Sequence, residues 1–145
     1  MKKAVLFILL FFVVGCATTQ LSNSQRRSIE AKELEGSFDN AFKATLQVLQ
    51  DKGYVITHTD YKAGVIKGET GWKRTNMFVT DKKQEASVTI EEWVENRVKE
   101  RITFMLRENE GLGLERSRII EDQKFLQEIY DEIQKEIFVR QNLNK

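Results

Sequence analysis

The chain has no proline, a single cysteine, Cys16, and a single histidine, His58. Without proline there is neither a proline-rich stalk nor a polyproline ligand segment. A lone cysteine forms no internal disulfide, and one cysteine with one histidine does not make a zinc site within one chain. No Gly-x-Ser-x-Gly elbow, dinucleotide fingerprint or phosphate loop is present, and Gly111-Leu112-Gly113 lacks the strand-then-helix context of one. Charge of one sign is missing too: 23 Lys and Arg stand against 22 Asp and Glu. A nucleic-acid binder carries a strongly basic patch, whereas runs such as Lys82-Lys83 and Glu91-Glu92 are short and mixed. The expectation is therefore a protein with no metal, no cofactor, no nucleic acid and no enzymatic activity.

A long membrane-spanning run is absent as well. The apolar stretch at positions 4–14 has eleven residues, while a helix crossing the bilayer core needs roughly 20. Lys2 and Lys3 precede it and Gly15-Cys16-Ala17 follows. A charged start, an apolar centre and a small residue before the cut describe a secretion signal, with the lysines held on the cytoplasmic side. Val13-Val14-Gly15-Cys16 resembles the bacterial lipobox, with Val13 where that family has leucine. The resemblance implies a diacylglycerol thioether on Cys16, cleavage after Gly15, and an added acyl chain such as palmitate on the new amino terminus. One acyl chain binds a membrane marginally and two or more hold it stably. Ala17, not aspartate, follows the cysteine. By the sorting rule of such lipoproteins, this implies the periplasmic face of an outer membrane. Loss of residues 1–15 leaves 130 residues, in which 21 basic groups face 22 acidic ones. That is the size of one domain, and with Cys16 lipidated it must hold together by its core alone.

Residues 17–27 are polar and without period, as a flexible tether is; eleven such residues span roughly 20 Å as coil, which keeps the domain near the membrane. Residues 28–35 read as a first strand with Ile29 and Ala31 on one face. Ser37 is a preferred N-cap, and Phe38, Ala41, Phe42, Thr45, Leu46 and Leu49 make a helical stripe over 37–52. Gly53 then suits a left-handed cap. Residues 54–60 read as a strand, with His58 on the face of Tyr54 and Ile56, and 65–70 as its return after the turn Tyr61-Lys62-Ala63-Gly64. Asn76-Met77-Phe78-Val79 is a short apolar patch, strand or loop, and 81–85 reads as a charged turn. Residues 86–94 and 98–106 alternate strictly around Glu95-Asn96 and predict a hairpin wet on one side, with Glu100 interrupting the inner row. Residues 108–117 read as a loop. Asp122 caps a last helix whose stripe is Phe125, Leu126, Ile129, Tyr130, Ile133 and Ile137, with Phe138 beside it; the tail frays from Gln141.

The predicted fold is α+β: an antiparallel sheet of about 4–6 strands with two amphipathic helices packed on one face, in the order β-α-β-β-(β)-β-β-α. The divisions are a signal at 1–15, lipidated cysteine and tether at 16–27, one domain at 28–140 and a tail at 141–145. Gly36-Ser37-Phe38-Asp39-Asn40-Ala41-Phe42, Gly53-Tyr54, Asp60 with Gly64-Val65-Ile66-Lys67-Gly68, and Asp122-Gln123-Lys124-Phe125-Leu126 resemble a single BamC-like helix-grip domain of the small bacterial lipoproteins. The resemblance spans about residues 29–139 and argues for fold more than for activity.

Cys16 is the expected lipidation site. Trp93, on the outward row of its strand, and Trp72 with Phe78 are the candidate partner contacts, since aromatics are enriched at interface centres. His58 and the carboxylate pairs do not form a catalytic set in the sequence, because neighbours such as Glu91 and Glu92 alternate across a strand. The functional expectation is an accessory or scaffold subunit of the cell envelope, anchored through Cys16 and bound to an envelope protein partner. The alternatives are a module binding a small apolar ligand or lipid in a helix-grip cavity, and a hydrolase of envelope polymers.

Overall fold

The alternating segments pair as expected and go further. The computed structural model describes residues 31–74, 80–109 and 114–143. Its centre is a long antiparallel hairpin of β5 (Asp81–Val94) and β6 (Arg97–Asn109). Glu95 and Asn96 turn the chain, and Asn96 takes the left-handed φ of 57° that asparagine tolerates better than most residues. Around this hairpin lie β1 (Ala31–Glu35), β2 (Val55–Asp60), β3 (Val65–Glu69), β4 (Lys73–Arg74) and β7 (Glu115–Ile119). The sheet order is β1-β6-β5-β3-β2, with β4 added to β5 and β7 to β6. All of the pairings are antiparallel. Helices α1 (Phe38–Asp51) and α2 (Gln123–Leu143) complete the fold.

The expected α+β class holds, with seven strands. Two of the additional paired segments are polar. Residues 81–85 are strand, not turn: their charges meet cross-strand partners, Lys82 to Glu108 at 2.7 Å and Arg107 to Glu85 at 2.9 Å. Within 108–117, expected as loop, residues 108–109 continue β6 and β7 starts at Glu115. Arg107 reaches Glu115 at 3.2 Å across that pair. Helix α2 also runs to Leu143, past the expected fraying at Gln141. Cys16, Ile29 and Phe78 lie outside the described residues.

The helix signals act as read. The Ser37 hydroxyl accepts from the Asn40 N–H, and Gly53 takes φ 85° as its N–H bonds the Gln50 carbonyl. Asp122 caps α2, accepting from the N–H groups of Lys124 and Phe125 at 3.0 and 3.1 Å. The buried face of α1 is wider than the predicted stripe and takes in Ala44 and Val48, because α1 packs on both the sheet and α2. The inner row of the sheet, Leu34, Ile66, Ala86, Val88, Ile90, Val98, Ile102 and Phe104, closes on the two helices. The opposite face of the sheet carries no helix among the described residues.

Tyr130 closes the edge of β6. Strand β1 pairs with β6 up to Arg101, and β7 pairs with it from Met105, opposite Ile119, onwards. In the gap the Tyr130 hydroxyl accepts from the Ile102 N–H at 3.2 Å and donates to the Glu100 carbonyl at 3.3 Å. A side-chain hydroxyl thus stands in for a missing strand.

Candidate functional site

Three places break the rule of apolar inside and polar outside, and each was approached differently by the sequence. The first is the open sheet face. Both tryptophans lie along it. Trp93 is the extra residue of a bulge, since Glu92 pairs with Val98 and Val94 with Arg97. The bulge leaves it 53% exposed, with the Lys99 ammonium 4.7 Å over its ring. Trp72 is 47% exposed, with Lys83 5.4 Å over its ring. Lys83 and Lys99 sit on the outward rows of β5 and β6, so both rings flank the same face, at opposite ends of the hairpin. Between them Thr57, Ser87 and Thr103 line a shallow groove of about 340 Å³. Lys83 pairs there with Glu69 at 2.9 Å, and Arg107 pairs with Glu85. Salt bridges of this kind are screened and partly exposed, so they shape the face more than they stabilise it.

His58 is placed differently from the expectation. A bulge at Thr57 shifts the register, so Ile56 pairs with Gly68 and His58 with Lys67. Lys67 is next to the fully buried Ile66 and on the opposite face. His58 therefore points outward, away from Ile56, because an extra residue reverses a period-two pattern. No carboxylate or serine is hydrogen-bonded to it among the described residues.

The second place is Glu100, fully buried on the inner row. Its Oε1 lies 3.0 Å from the Thr45 hydroxyl, which is also 2.8 Å from the Ala41 carbonyl. Glu100 Oε2 is buried without a hydrogen-bond partner among the described residues. Burial pushes the carboxyl up to about 8. The geometry agrees. Threonine has one hydroxyl proton, and a carbonyl can only accept. That proton has two takers, the Ala41 carbonyl and Glu100 Oε1, so Thr45 alone does not fully satisfy an ionised Glu100. Lys32 stands opposite Glu100 in the β1–β6 register, but its ammonium turns to Gln127 at 3.0 Å.

The third place is the end of the molecule where the hairpin turn, the β1–α1 turn, the β2–β3 turn and the C-terminus of α2 meet. Gly36 donates to the Asn96 carbonyl at 2.7 Å and packs against Ile137 of α2. A groove of about 610 Å³ runs between Asn96, Ser37, Phe138 and Asn142. A second continues past Trp93 and Val94 to Phe38, and a third from Phe38 to Tyr61. The Tyr61 ring meets Phe38 and Phe42 edge-on at 5.2 and 5.1 Å. Six of the ten exposed large apolar side chains are in these elements: Tyr61, Trp93, Val94, Phe138, Val139 and Leu143. Sequence reading singled out only Trp93 here. The rest gather from separate turns and from a helix end, so no local pattern announces them.

The chain matches no known family profile and no curated protein. Among the described residues, no three His, Cys, Asp or Glu side chains converge as metal ligands, and no helix is long and apolar enough to cross a membrane. Among the described residues a continuous cluster of core side chains lies between helices and sheet, and the grooves described here open to solvent.

Proposed function

We propose that this chain is a lipid-anchored protein of the periplasmic face of the outer membrane. It acts without catalysis, as an accessory or scaffold subunit that holds an envelope protein in assembly or maintenance. The observation that carries the reading is the lipobox Val13-Val14-Gly15-Cys16 ahead of one small domain. The domain supports it in form: one sheet face is closed by helices, and the other presents the half-exposed Trp72 among paired charges. Such a face has an aromatic, partly desolvated character suited to protein contact. The similarity to BamC-like lipoprotein domains points the same way. The core side chains packed between helix and sheet weigh against a ligand held there, and the outward His58, with no carboxylate or serine hydrogen-bonded to it among the described residues, weighs against a hydrolase.

The test is fractionation of wild type beside Cys16→Ser, followed by photo-crosslinking from position 72 in intact cells. The expected result is outer-membrane recovery of wild type alone, with one defined protein crosslinked. A Cys16→Ser chain that fractionates like wild type refutes the anchor. An anchored chain that crosslinks to no protein refutes the scaffold role.

A further inference from the structure

The exposed apolar end described above needs a partner, and the anchor limits what that partner is. Fourteen residues separate Cys16 from Ala31, and a coil of that length spans about 20 Å. Ala31 pairs with Arg101 and Glu35 with Arg97, so β1 runs from Ala31 towards the hairpin turn over about 13 Å at 3.3 Å per residue. The exposed end therefore lies about 13 Å from Ala31, less than the span of a tether of that length. The Trp72 end is far from it: Lys83 and Trp93 are ten residues apart on β5, roughly 30 Å.

The side chains at this end are those of a lipid interface. Tryptophan and tyrosine, apolar in body and polar at the tip, concentrate at the headgroup level. Phe138 is 64% and Leu143 78% exposed. The charge beside them alternates: Lys62 with Glu92 in one groove, Glu95 with Arg97 in the next. Lys99 lies over the Trp93 ring, as a cation does when its stem follows an apolar surface. An anionic surface would be repelled by Glu91, Glu92 and Glu95. A zwitterionic surface offers ammonium groups to those carboxylates and phosphates to Arg97 and Lys62.

We propose that the end of the domain carrying Tyr61, Trp93, Val94, Phe138 and Leu143 seats on the zwitterionic bilayer that holds the lipidated Cys16, with these side chains in the headgroup layer. The inference rests on the lipoprotein reading. It sets the orientation of the domain: Trp93 contacts lipid, and the Trp72 end of the open face stands away from the membrane for the protein partner.

Trp72 and Trp93 are the only tryptophans, so each exposed ring is read separately. Full-length lipidated Trp72→Phe and Trp93→Phe proteins are reconstituted into phosphatidylethanolamine–phosphatidylcholine vesicles, with and without brominated acyl chains. The expected result is quenching and a blue shift of Trp93 emission by the brominated lipid, with Trp72 unaffected. Adding Phe138→Ser, at an exposed position, should weaken the Trp93 quenching. A chain that floats with the vesicles while Trp93 stays unquenched and open to aqueous iodide overturns the seating and leaves the anchor intact. A photo-crosslinker at position 93 that captures a protein rather than lipid also overturns it. A chain that carries no lipid on Cys16 and does not float overturns the anchor, and the seating with it.

Discussion

Replacing Glu100 by glutamine should remove a pH dependence from stability. The folded carboxyl titrates at about 8, against an ordinary value of 4.5. An acid with a raised folded value binds its proton more tightly when folded, so folding is unpenalised below pH 4.5. Stability then falls as pH rises between 4.5 and about 8, and levels off above. The slope in that window is about 1.4 kcal/mol per pH unit. At pH 7 the accumulated loss is about 3 kcal/mol, and above pH 9 about 5 kcal/mol. Those are large fractions of the 5–15 kcal/mol of a typical domain. Glutamine copies the neutral acid in shape and can donate to Thr45, but it does not ionise. Urea unfolding of both chains from pH 5 to 9, each with Cys16→Ser so that no lipid is attached, gives the difference directly. Near pH 5 the two should be alike, or the glutamine chain slightly weaker for its unmatched amide proton. By pH 8 it should be the more stable by several kcal/mol. A stability difference that stays constant across this range would show that Glu100 is ionised at neutral pH, and the argument from its burial would fall.

Three other substitutions, and one control, test the edge, a turn and a helix cap. Tyr130→Phe deletes the hydroxyl that fills the β6 edge and strands the buried Ile102 N–H. The expected loss is about 1–3 kcal/mol in urea unfolding, and a neutral result would mean water takes the place. Gly64→Ala should destabilise by more than about 1 kcal/mol, because Gly64 has φ 65° and an added Cβ would run into the Ile90 carbonyl. Gly71→Ala, with nothing near it, is the neutral control. Asp122→Ala removes the cap of α2 and should cost about 1 kcal/mol, read as a lowered melting temperature.

The elements that were legible in the sequence are those whose one face is apolar. The stripes of α1 and α2 and the alternation of 86–94 and 98–106 gave period, face and pairing partner together. The elements that were missed bury little. Residues 81–85 and β7 are charged strings whose strand character depends on partners outside them, Glu108 for Lys82 and Arg107 for Glu115, rather than on an apolar face of their own. Neither carries the apolar alternation that would announce a strand. The face of His58 was misread for a related reason. Its strand is short, and nothing in residues 55–60 announces the bulge at Thr57 that reverses the count.

Glu100 and the Trp93–Phe138 end are both departures from the binary pattern, yet they differ in what resolves them. Glu100 was visible as an interruption of the inner row, and the fold resolves it internally by holding a proton and a threonine against it. Its cost is carried by the hydrophobic core around it, so it needs no partner. The exposed end was visible only at Trp93, whose outward place followed from alternation. Its other members are exposed side chains at a turn and at a helix end. Scattered exposed apolar residues require no explanation, but Tyr61, Trp93, Val94 and Phe138 gathered along one run of grooves are a patch, and patches mark a surface that is covered in use. On the proposed reading, a lipidated Cys16 would tether such a surface near a bilayer, and lipid rather than a second fold element is then the proposed occupant.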